Sequence, residues 1–182
     1  MVYFTTRDLA GIVVFAVLWG ILNVLLSQAF FQMFQLPFLC DIIGFSSLVL
    51  AVWWVRKFGT AVFVSLIALM INMFLRPTAL HFFGFFAASI VFDVLTFFAG
   101  YERLFEKRLF GSVVLFVVSV LSAAFAGLVI GAFLMDPVIL AKQGGTLVWS
   151  GLHAVGGIIG GALGVFLMNA VVARGLIPKR KS

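Results

Sequence analysis

Six long runs of apolar residues dominate the chain and limit the folds that it can adopt. They cover about residues 9–31, 41–55, 60–75, 80–99, 109–135 and 147–173. A helix crosses the hydrocarbon core of a bilayer with roughly 20 apolar residues. Because 64% of the residues are hydrophobic and only 10% are charged, a soluble domain could not hide so much apolar surface from water. The sequence therefore predicts one all-α, polytopic membrane domain, residues 1–182, with six transmembrane helices.

The prolines fall between these runs. Pro37, Pro77 and Pro137 lie in predicted connections, and Pro178 follows the last run. Proline lacks a backbone N–H and disfavours helix in the preceding residue, so these positions suit connections. The second and third runs are the shortest. Only the tight turn 56–59 separates them, so they could instead form one hydrophobic hairpin.

The distribution of cations predicts the orientation. With the N-terminus inside, ten cations lie on the cytoplasmic side: Arg7, Arg56, Lys57, Arg103, Lys107, Arg108, Arg174, Lys179, Arg180 and Lys181. The outer connections hold only Arg76 and Lys142. Cytoplasmic loops of membrane proteins carry an excess of Lys and Arg, so we expect both termini in the cytoplasm and a location in the plasma membrane. The net charge of +6 then reports topology, and nucleic acid is not an expected partner.

Catalytic and metal-binding motifs are lacking in the sequence. It has no HExxH, P-loop or GxSxG pattern and no paired-carboxylate signature. The spacing of His81, His153 and Cys40 does not suggest a metal site, and a single cysteine excludes an internal disulfide. Ser150 and His153 lie three residues apart on one predicted helix, which does not suit a serine protease. We expect no enzymatic activity, no cofactor and no cleaved signal segment.

Polar residues in or beside the spans cluster toward the predicted outer face. Polar groups at membrane depth are costly, so they usually face a cavity or each other. The sequence thus predicts an outward-open pocket for a small molecule, with Phe30, Phe34, Phe82 and Trp149 available as aromatic walls. The predicted substrate-binding residues are Gln28, Gln32, Asn72, Arg76, His81, Trp149 and His153. Gln35, Asp41, Thr78 and Ser150 belong to the same cluster.

Each of these residues also has a simpler interpretation. Gln32, Gln35 and Asp41 are more simply solvated loop residues, and Arg76 could reach lipid phosphates. Taken alone, Trp149 is more typical of an interface anchor. His153 and Asn72 are the best individual candidates because His153 lies too deep for a short side chain to reach water.

Other polar and small residues favour structural roles. Asn23 and Trp19, in the middle of the first span, are expected to pack against other helices. Asp93 is expected to pair with Arg103 or Lys57 near the inner surface. Small residues recur four apart in three rows, which lets helices approach closely. The rows are Ser119, Ala123, Gly127 and Gly131; Gly156, Gly160 and Gly164, with Gly157 and Gly161 beside them; and Ala16 with Gly20.

The first 110 or so residues resemble a known group of membrane proteins. The likeness is carried by TTRDLAGIVVFAVLWGILNVLL, PFLCDIIGFSSLVLAVWWVRKFGTAVFVSLIALMINMF and FFGFFAASIVFDVLTFF. Their layout resembles the substrate-binding S components of energy-coupling factor (ECF) vitamin transporters, closest to the YkoE-type group for thiamine or hydroxymethylpyrimidine.

This resemblance implies a function and a set of partners. An S component binds a vitamin or its precursor from outside and docks on a transmembrane coupling subunit driven by two ATPase subunits. Docking in that family uses small residues of the first span, to which Ala10, Ala16 and Gly20 correspond here. The bound molecule would be small and flat, with thiamine-like heteroaromatic rings favoured, and Arg76 could attract its carboxylate or phosphate.

Three other classes of function remain open. A stand-alone secondary transporter or channel would show an internal repeat or broken spans. A small membrane enzyme would need converging acid–base or metal groups. For a structural assembly subunit the glycine rows would suffice. The segment 136–146, with Gly144 and Gly145, could be a lid or a plain flexible loop.

Overall fold

A computed structural model describes residues 3–176, and within them the chain forms helices joined by short connections. The helices are α1 Thr6–Phe34, α2 Phe38–Val55, α3 Thr60–Leu75, α4 Phe82–Ala99, α5 Tyr101–Glu106, α6 Arg108–Leu134, α7 Pro137–Lys142 and α8 Thr146–Ala173. No strand occurs in this part of the chain, which confirms the prediction of an all-helical protein. Pro178, Lys179, Arg180 and Lys181 lie outside the described residues.

Five helices are long and apolar enough to cross a membrane: α1, α2, α4, α6 and α8. Helix α3 is apolar but has only 16 residues, which at about 1.5 Å per residue span about 24 Å. Three predicted boundaries lie three residues from those of the structure. Helix α1 begins at Thr6 instead of residue 9, and the other two lie on either side of Pro37. Helix α1 continues to Phe34 instead of ending at residue 31, and α2 begins at Phe38 because Pro37 lies directly before its first turn. These properties fit a polytopic helical membrane protein.

The six longest helices pack in a ring in the order α1, α2, α8, α6, α4, α3 and back to α1. Helix α2 also touches α3 and α6 across the ring, and 67% of its residues are buried. Its core residues include Phe45, Leu48 and Val52. The outward faces of the other long helices are apolar, as a bilayer requires.

The glycine rows of α8 allow it to pack tightly between two neighbours. A Cβ at Gly160 would lie 2.7 Å from the carbonyl oxygen of Asp41 in α2. On the adjacent face, a Cβ at Gly161 would lie 2.7 Å from the Cβ of Ser119 in α6. Because real Cβ contacts are longer than this, only glycine permits these approaches. The α8 rows therefore pack within the chain.

Asp93 does not form the ion pair that we predicted. Its side chain is buried, and Oδ2 accepts a hydrogen bond from the backbone N–H of Val62 at 2.9 Å. Val62 lies in the first turn of α3, where the N–H groups lack partners within the helix and attract negative charge. Lys57 instead forms an ion pair with Asp8 at 2.7 Å. Asp93 thus anchors the start of α3 on α4.

Candidate functional site

A cavity of about 360 Å³ opens between the helices at one end of the bundle. Its walls come from the C-terminal parts of α1 and α6, from the first turns of α2, α4 and α8, and from the connection after α3 and helix α7. It therefore lies at the opposite end of the bundle from the N-terminus. The lining residues include Asn23, Ser27, Gln28, Phe31, Cys40, Arg76, His81, Phe85, Ile130, Leu134, Asp136, Trp149 and His153.

The only two π-helical segments among residues 3–176 both reach this cavity. One is Asn23–Ser27 in α1 and the other is Ile130–Leu134 in α6, and the first and last residue of each segment line the cavity. A π-helical turn disturbs regular backbone hydrogen bonding and is frequently found at functional sites. Two such turns facing one cavity identify this end of the bundle as the candidate site.

A buried amide pair supports the wall formed by α1. Nδ2 of Asn72 donates to the carbonyl oxygens of Ala68 at 2.8 Å and of Gly20 at 3.4 Å. These carbonyls can only accept, so Oδ1 of Asn72 is the atom left to accept from Nδ2 of Asn23, at 3.1 Å. Oδ1 of Asn23 then has no hydrogen-bond partner in the described structure, although Asn23 lines the cavity. Asn72 thus fixes the orientation of Asn23.

The wall formed by α8 contains a second buried pair. Nδ1 of His153 lies 3.0 Å from Oδ1 of Asp41, and the two side chains are 2% and 0% exposed. Gly156 lies beside the carboxylate, in a position where a Cβ would collide with it. The other ring nitrogen of His153, Nε2, has no partner in the described structure. Asp41 and His153 are 112 positions apart in the sequence. Their contact joins α2 to α8 beside the cavity.

Four buried polar atoms on cavity-lining residues lack a hydrogen-bond partner within residues 3–176. They are Oδ1 of Asn23, Oγ of Ser27, Nε1 of Trp149 and Nε2 of His153. A buried polar atom without a partner costs about 1–3 kcal/mol. A bound molecule that supplied the missing partners would recover this cost.

Aromatic rings enclose the same space. Trp149 lies edge-on to His153, with ring centroids 5.3 Å apart, and edge-on to Phe31 at 6.3 Å. Phe85 packs against the other side of His153 at 5.7 Å. Such rings can cover the faces of a small flat molecule while the polar atoms fix its orientation.

The charged groups of the cavity lie at its edge. Arg76 follows the last turn of α3 and lines the cavity. Oδ1 of Asp136 accepts from the N–H groups of Val138 and Ile139 and so begins α7. His81 lies in the connection before α4, where burial, with the nearby His153 and Arg76, lowers its pKa to about 4. His81 is therefore neutral at pH 7, and Arg76 is the cation available to an anionic group.

The structure brings most of the predicted site residues together. Five of the seven line the cavity, namely Gln28, Arg76, His81, Trp149 and His153. Asn72 lies behind the wall, bonded to Asn23. Gln32 is exposed on the outside of α1 and does not line the cavity. Whether the five bind a ligand remains a prediction.

Several predicted assignments are corrected by the structure. Asp41 is fully buried in α2 because the glycines of α8 approach it, so it is not a solvated loop residue. Phe30 and Phe34 stack on each other away from the cavity, and Phe82 is core. The aromatic lining comes from Phe31, Phe85 and Trp149 instead.

The predicted docking row of α1 is mostly internal. Ala16 is fully buried, and a Cβ at Gly20 would lie 3.1 Å from the side chain of Ile71 in α3. These two residues pack α1 onto the bundle and are not on its outer surface. Ala10 is exposed. The outward face of α1 consists of Val13, Val14, Val17, Leu18 and Ile21.

Sequence reasoning also missed Asn23, Ser27 and Cys40 as contributors to the cavity wall. Asn23 was assigned to helix packing, and Ser27 and Cys40 were not assigned to the pocket. The polar character of Asn23 in an apolar span was the available signal, but the π-helical turn that places it has no signature in composition. The Asp41–His153 pair was missed because only the folded chain brings residues so distant in sequence together.

This arrangement can bind a small, partly flat molecule through ring contacts, a few fixed hydrogen bonds and one cation. Within the described residues, no cluster of three or more His, Cys, Asp or Glu side chains is suited to a metal ion. No family model, no curated protein and no solved structure matches the chain significantly.

Proposed function

We propose that this protein is a membrane receptor subunit that captures a small molecule from outside the cell. The observation that carries the proposal is the cavity, which combines four buried, unpartnered polar atoms with aromatic walls. Its volume of about 360 Å³ lies within the range of roughly 300–1,000 Å³ typical of small-molecule sites. A bundle that served only assembly would have no need of such a space.

The proposed topology has six spans with both termini in the cytoplasm. The ten-to-two distribution of cations in the sequence supports it. In this orientation the end of the bundle that contains the cavity faces outward. The cation-rich end, with Arg56 and Arg108, faces the cytoplasm, and the plasma membrane is the proposed location.

The proposed role within this class is that of an S component of an ECF-type importer. The sequence resemblance supports it, and the sequence has no ATP-binding motif. Energy would then come from a coupling subunit and two ATPases. If the coupling subunit docks on α1, it would meet Ala10 and the apolar outer face rather than Ala16 and Gly20. A thiamine-like heteroaromatic vitamin or precursor is the favoured ligand.

One structural feature favours a second candidate, a stand-alone secondary transporter. Such proteins place interrupted helices at their substrate sites, and π-helical turns interrupt both α1 and α6 beside the cavity. In this alternative the chain would need no ATPase partner.

Purification from its native membrane would test both proposals. The tagged protein is isolated in mild detergent, extracted with denaturing solvent, and its small molecules and co-purifying proteins are identified by mass spectrometry. We expect one low-mass compound in near-stoichiometric amount, together with a coupling subunit and ATPases. The compound should be lost from Trp149→Ala and retained by Gly151→Ala, a site on the same helix where an added Cβ meets open space.

The outcomes separate the candidates. A retained compound without ATPases would favour the stand-alone transporter. Absence of both the compound and the ATPases would contradict the receptor proposal and favour a structural subunit.

A further inference from the structure

His153 is held in a way that determines which of its ring nitrogens carries a proton. Oδ1 of Asp41 lies 3.0 Å from Nδ1, and a carboxylate can only accept hydrogen bonds. With Asp41 ionised, Nδ1 is the nitrogen that carries the proton, and in the neutral ring Nε2 is left as a bare acceptor. Both side chains are almost fully buried, so water does not compete for this bond.

A hydrogen-bond donor that complements this acceptor lies one helical turn away. Trp149 precedes His153 by four residues on α8, and their ring centroids are 5.3 Å apart. Nε1 of Trp149 is a donor only. Like Nε2 of His153, it is buried and has no partner among residues 3–176, and both residues line the cavity. The two residues thus bring one donor and one acceptor to the same wall of the cavity.

Neighbouring helices hold this pair rigidly in place. Where α6 crosses α8, a Cβ at Gly127 would lie 3.0 Å from the Cβ of His153. Oγ of Ser150 donates to the carbonyl oxygen of Ala124 at 2.8 Å. The ring of Phe85 packs edge-on against His153. A rigid pair of this kind discriminates between ligands, because a ligand without matching groups leaves both nitrogens unpartnered.

We infer that Asp41 is a positioning residue that fixes the tautomer of His153, so that Trp149 and His153 select a ligand with an adjacent acceptor and N–H or O–H donor, as in a carboxamide or lactam. The inference rests on the proposed function and specifies the chemistry of that site. Asp41 acts only through His153 and does not line the cavity.

Nitrogen NMR of histidine can test the tautomer without any ligand. The chain has only two histidines, so ¹⁵N-histidine labelling gives two rings, which His81→Gln assigns. We expect His153 at pH 7.5 to show a protonated Nδ1 and an unprotonated Nε2. The reverse pattern, or a mixture in the wild-type protein, would overturn the inference.

The role of Asp41 is tested with a matched pair of variants. In Asp41→Asn, the amide can accept from Nδ1 or donate to it, so both tautomers of His153 should be populated. Asp93→Asn removes the other buried carboxylate of the long helices and should leave the single tautomer unchanged. A single, unchanged tautomer in Asp41→Asn would refute positioning by Asp41. If that variant does not fold, the wild-type spectrum still decides the tautomer.

Two small amides then test the selection itself. Formamide has a carbonyl and N–H groups, whereas N,N-dimethylformamide has the carbonyl alone. Each is added up to the highest concentration that leaves the backbone spectrum unchanged. Formamide should shift the signals of both Nε2 of His153 and Nε1 of Trp149, which Trp149→Phe assigns. Dimethylformamide should shift only the Trp149 signal. Equal shifts of Nε2 by both compounds, or by neither, would overturn the selection.

Failure of this inference is distinguishable from failure of the proposed function. A protein that retains a small molecule but carries the proton on Nε2 would remain a receptor with different ligand chemistry. A protein with the expected tautomer that retains nothing would contradict the receptor instead.

Discussion

Removal of either Asp41 or His153 would leave the other as a buried polar group without its partner. The carboxylate is 0% exposed and the imidazole 2%. The free-energy cost of moving a charge out of water is offset only by a partner with good geometry. The pair therefore stabilises the contact between α2 and α8 while it shapes the cavity.

A double-mutant cycle measures this dependence. Asp41→Ala and His153→Ala should each lower the free energy of unfolding by about 3–5 kcal/mol. The double variant should lose less than the sum by about 0.5–3 kcal/mol. Thermal or denaturant unfolding in detergent gives these values. Ser46→Ala, in the same helix, is the control, because Oγ of Ser46 bonds only to carbonyls of its own helix. Additive losses would show that the two residues do not depend on each other.

At the scale of single residues, the sequence identified the polar positions but not their partners. His153 and Asn72 stood out because short polar side chains deep in apolar spans must find hydrogen bonds. Asp41 was misjudged because it lies near Pro37 at a predicted span start. Its burial depends on Gly156 and Gly160, more than 100 positions away.

At the scale of the helices, the glycine rows decide how closely α8 packs. An alanine at Gly156 would push its Cβ into the carboxylate of Asp41. Gly151 lies on the same helix, and a Cβ there meets no atom within 4 Å. Alanine substitutions at the two positions therefore distinguish the effect of close packing from the effect of helix propensity.

Alanine substitutions at these two glycines should have opposite effects. Gly156→Ala should destabilise the protein by about 1–3 kcal/mol, as overpacking of a tight contact does. Gly151→Ala should be neutral or stabilise it by up to about 1 kcal/mol, because alanine favours helix. Unfolding of both variants under identical detergent conditions checks this. If Gly156→Ala were as stable as Gly151→Ala, the close contact of α8 with Asp41 would be wrong.

The start of α3 depends on a carboxylate from the neighbouring helix. Oδ2 of Asp93 satisfies the N–H of Val62, so Asp93→Ala should destabilise the fold by about 1–2 kcal/mol, like the loss of a helix cap. Lys57→Ala and Arg103→Ala should not reproduce that loss, since neither residue pairs with Asp93. If Arg103→Ala destabilised the fold as much as Asp93→Ala does, the result would support the predicted ion pair between Asp93 and Arg103.

The helices themselves were largely predictable, whereas their irregular turns were not. Run length and proline position are local properties, and they located α3 and the turn after α2. A π-helical turn such as Asn23–Ser27 differs from an α-helix by a single register of hydrogen bonds. A single such turn does not change the apolar composition of a span, so no pattern in the sequence predicts the turns that shape the cavity.

At the scale of the whole molecule, orientation connects the fold to the proposed function. The cavity can capture a molecule from outside only if its end of the bundle faces outward. That requires α3 to cross the bilayer, even though its 16 residues reach only about 24 Å against a hydrocarbon core of about 30 Å. A short helix can cross if the bilayer thins or if flanking cations extend to the interface. Arg56, Lys57 and Arg76 flank α3 in this way.

Cysteine labelling of intact cells decides whether α3 crosses. In a Cys40→Ala background, which has no other cysteine, Phe58→Cys and Leu80→Cys place exposed thiols before and after α3. We expect a membrane-impermeant maleimide to label Leu80→Cys directly and Phe58→Cys only after permeabilisation. Lys142→Cys and Lys107→Cys, both at exposed positions, are the matched outer and inner controls. Labelling of positions 58 and 80 from the same side would reduce the bundle to five spans. Labelling of Phe58→Cys alone would show that the cavity faces the cytoplasm. Uptake from outside would then be excluded.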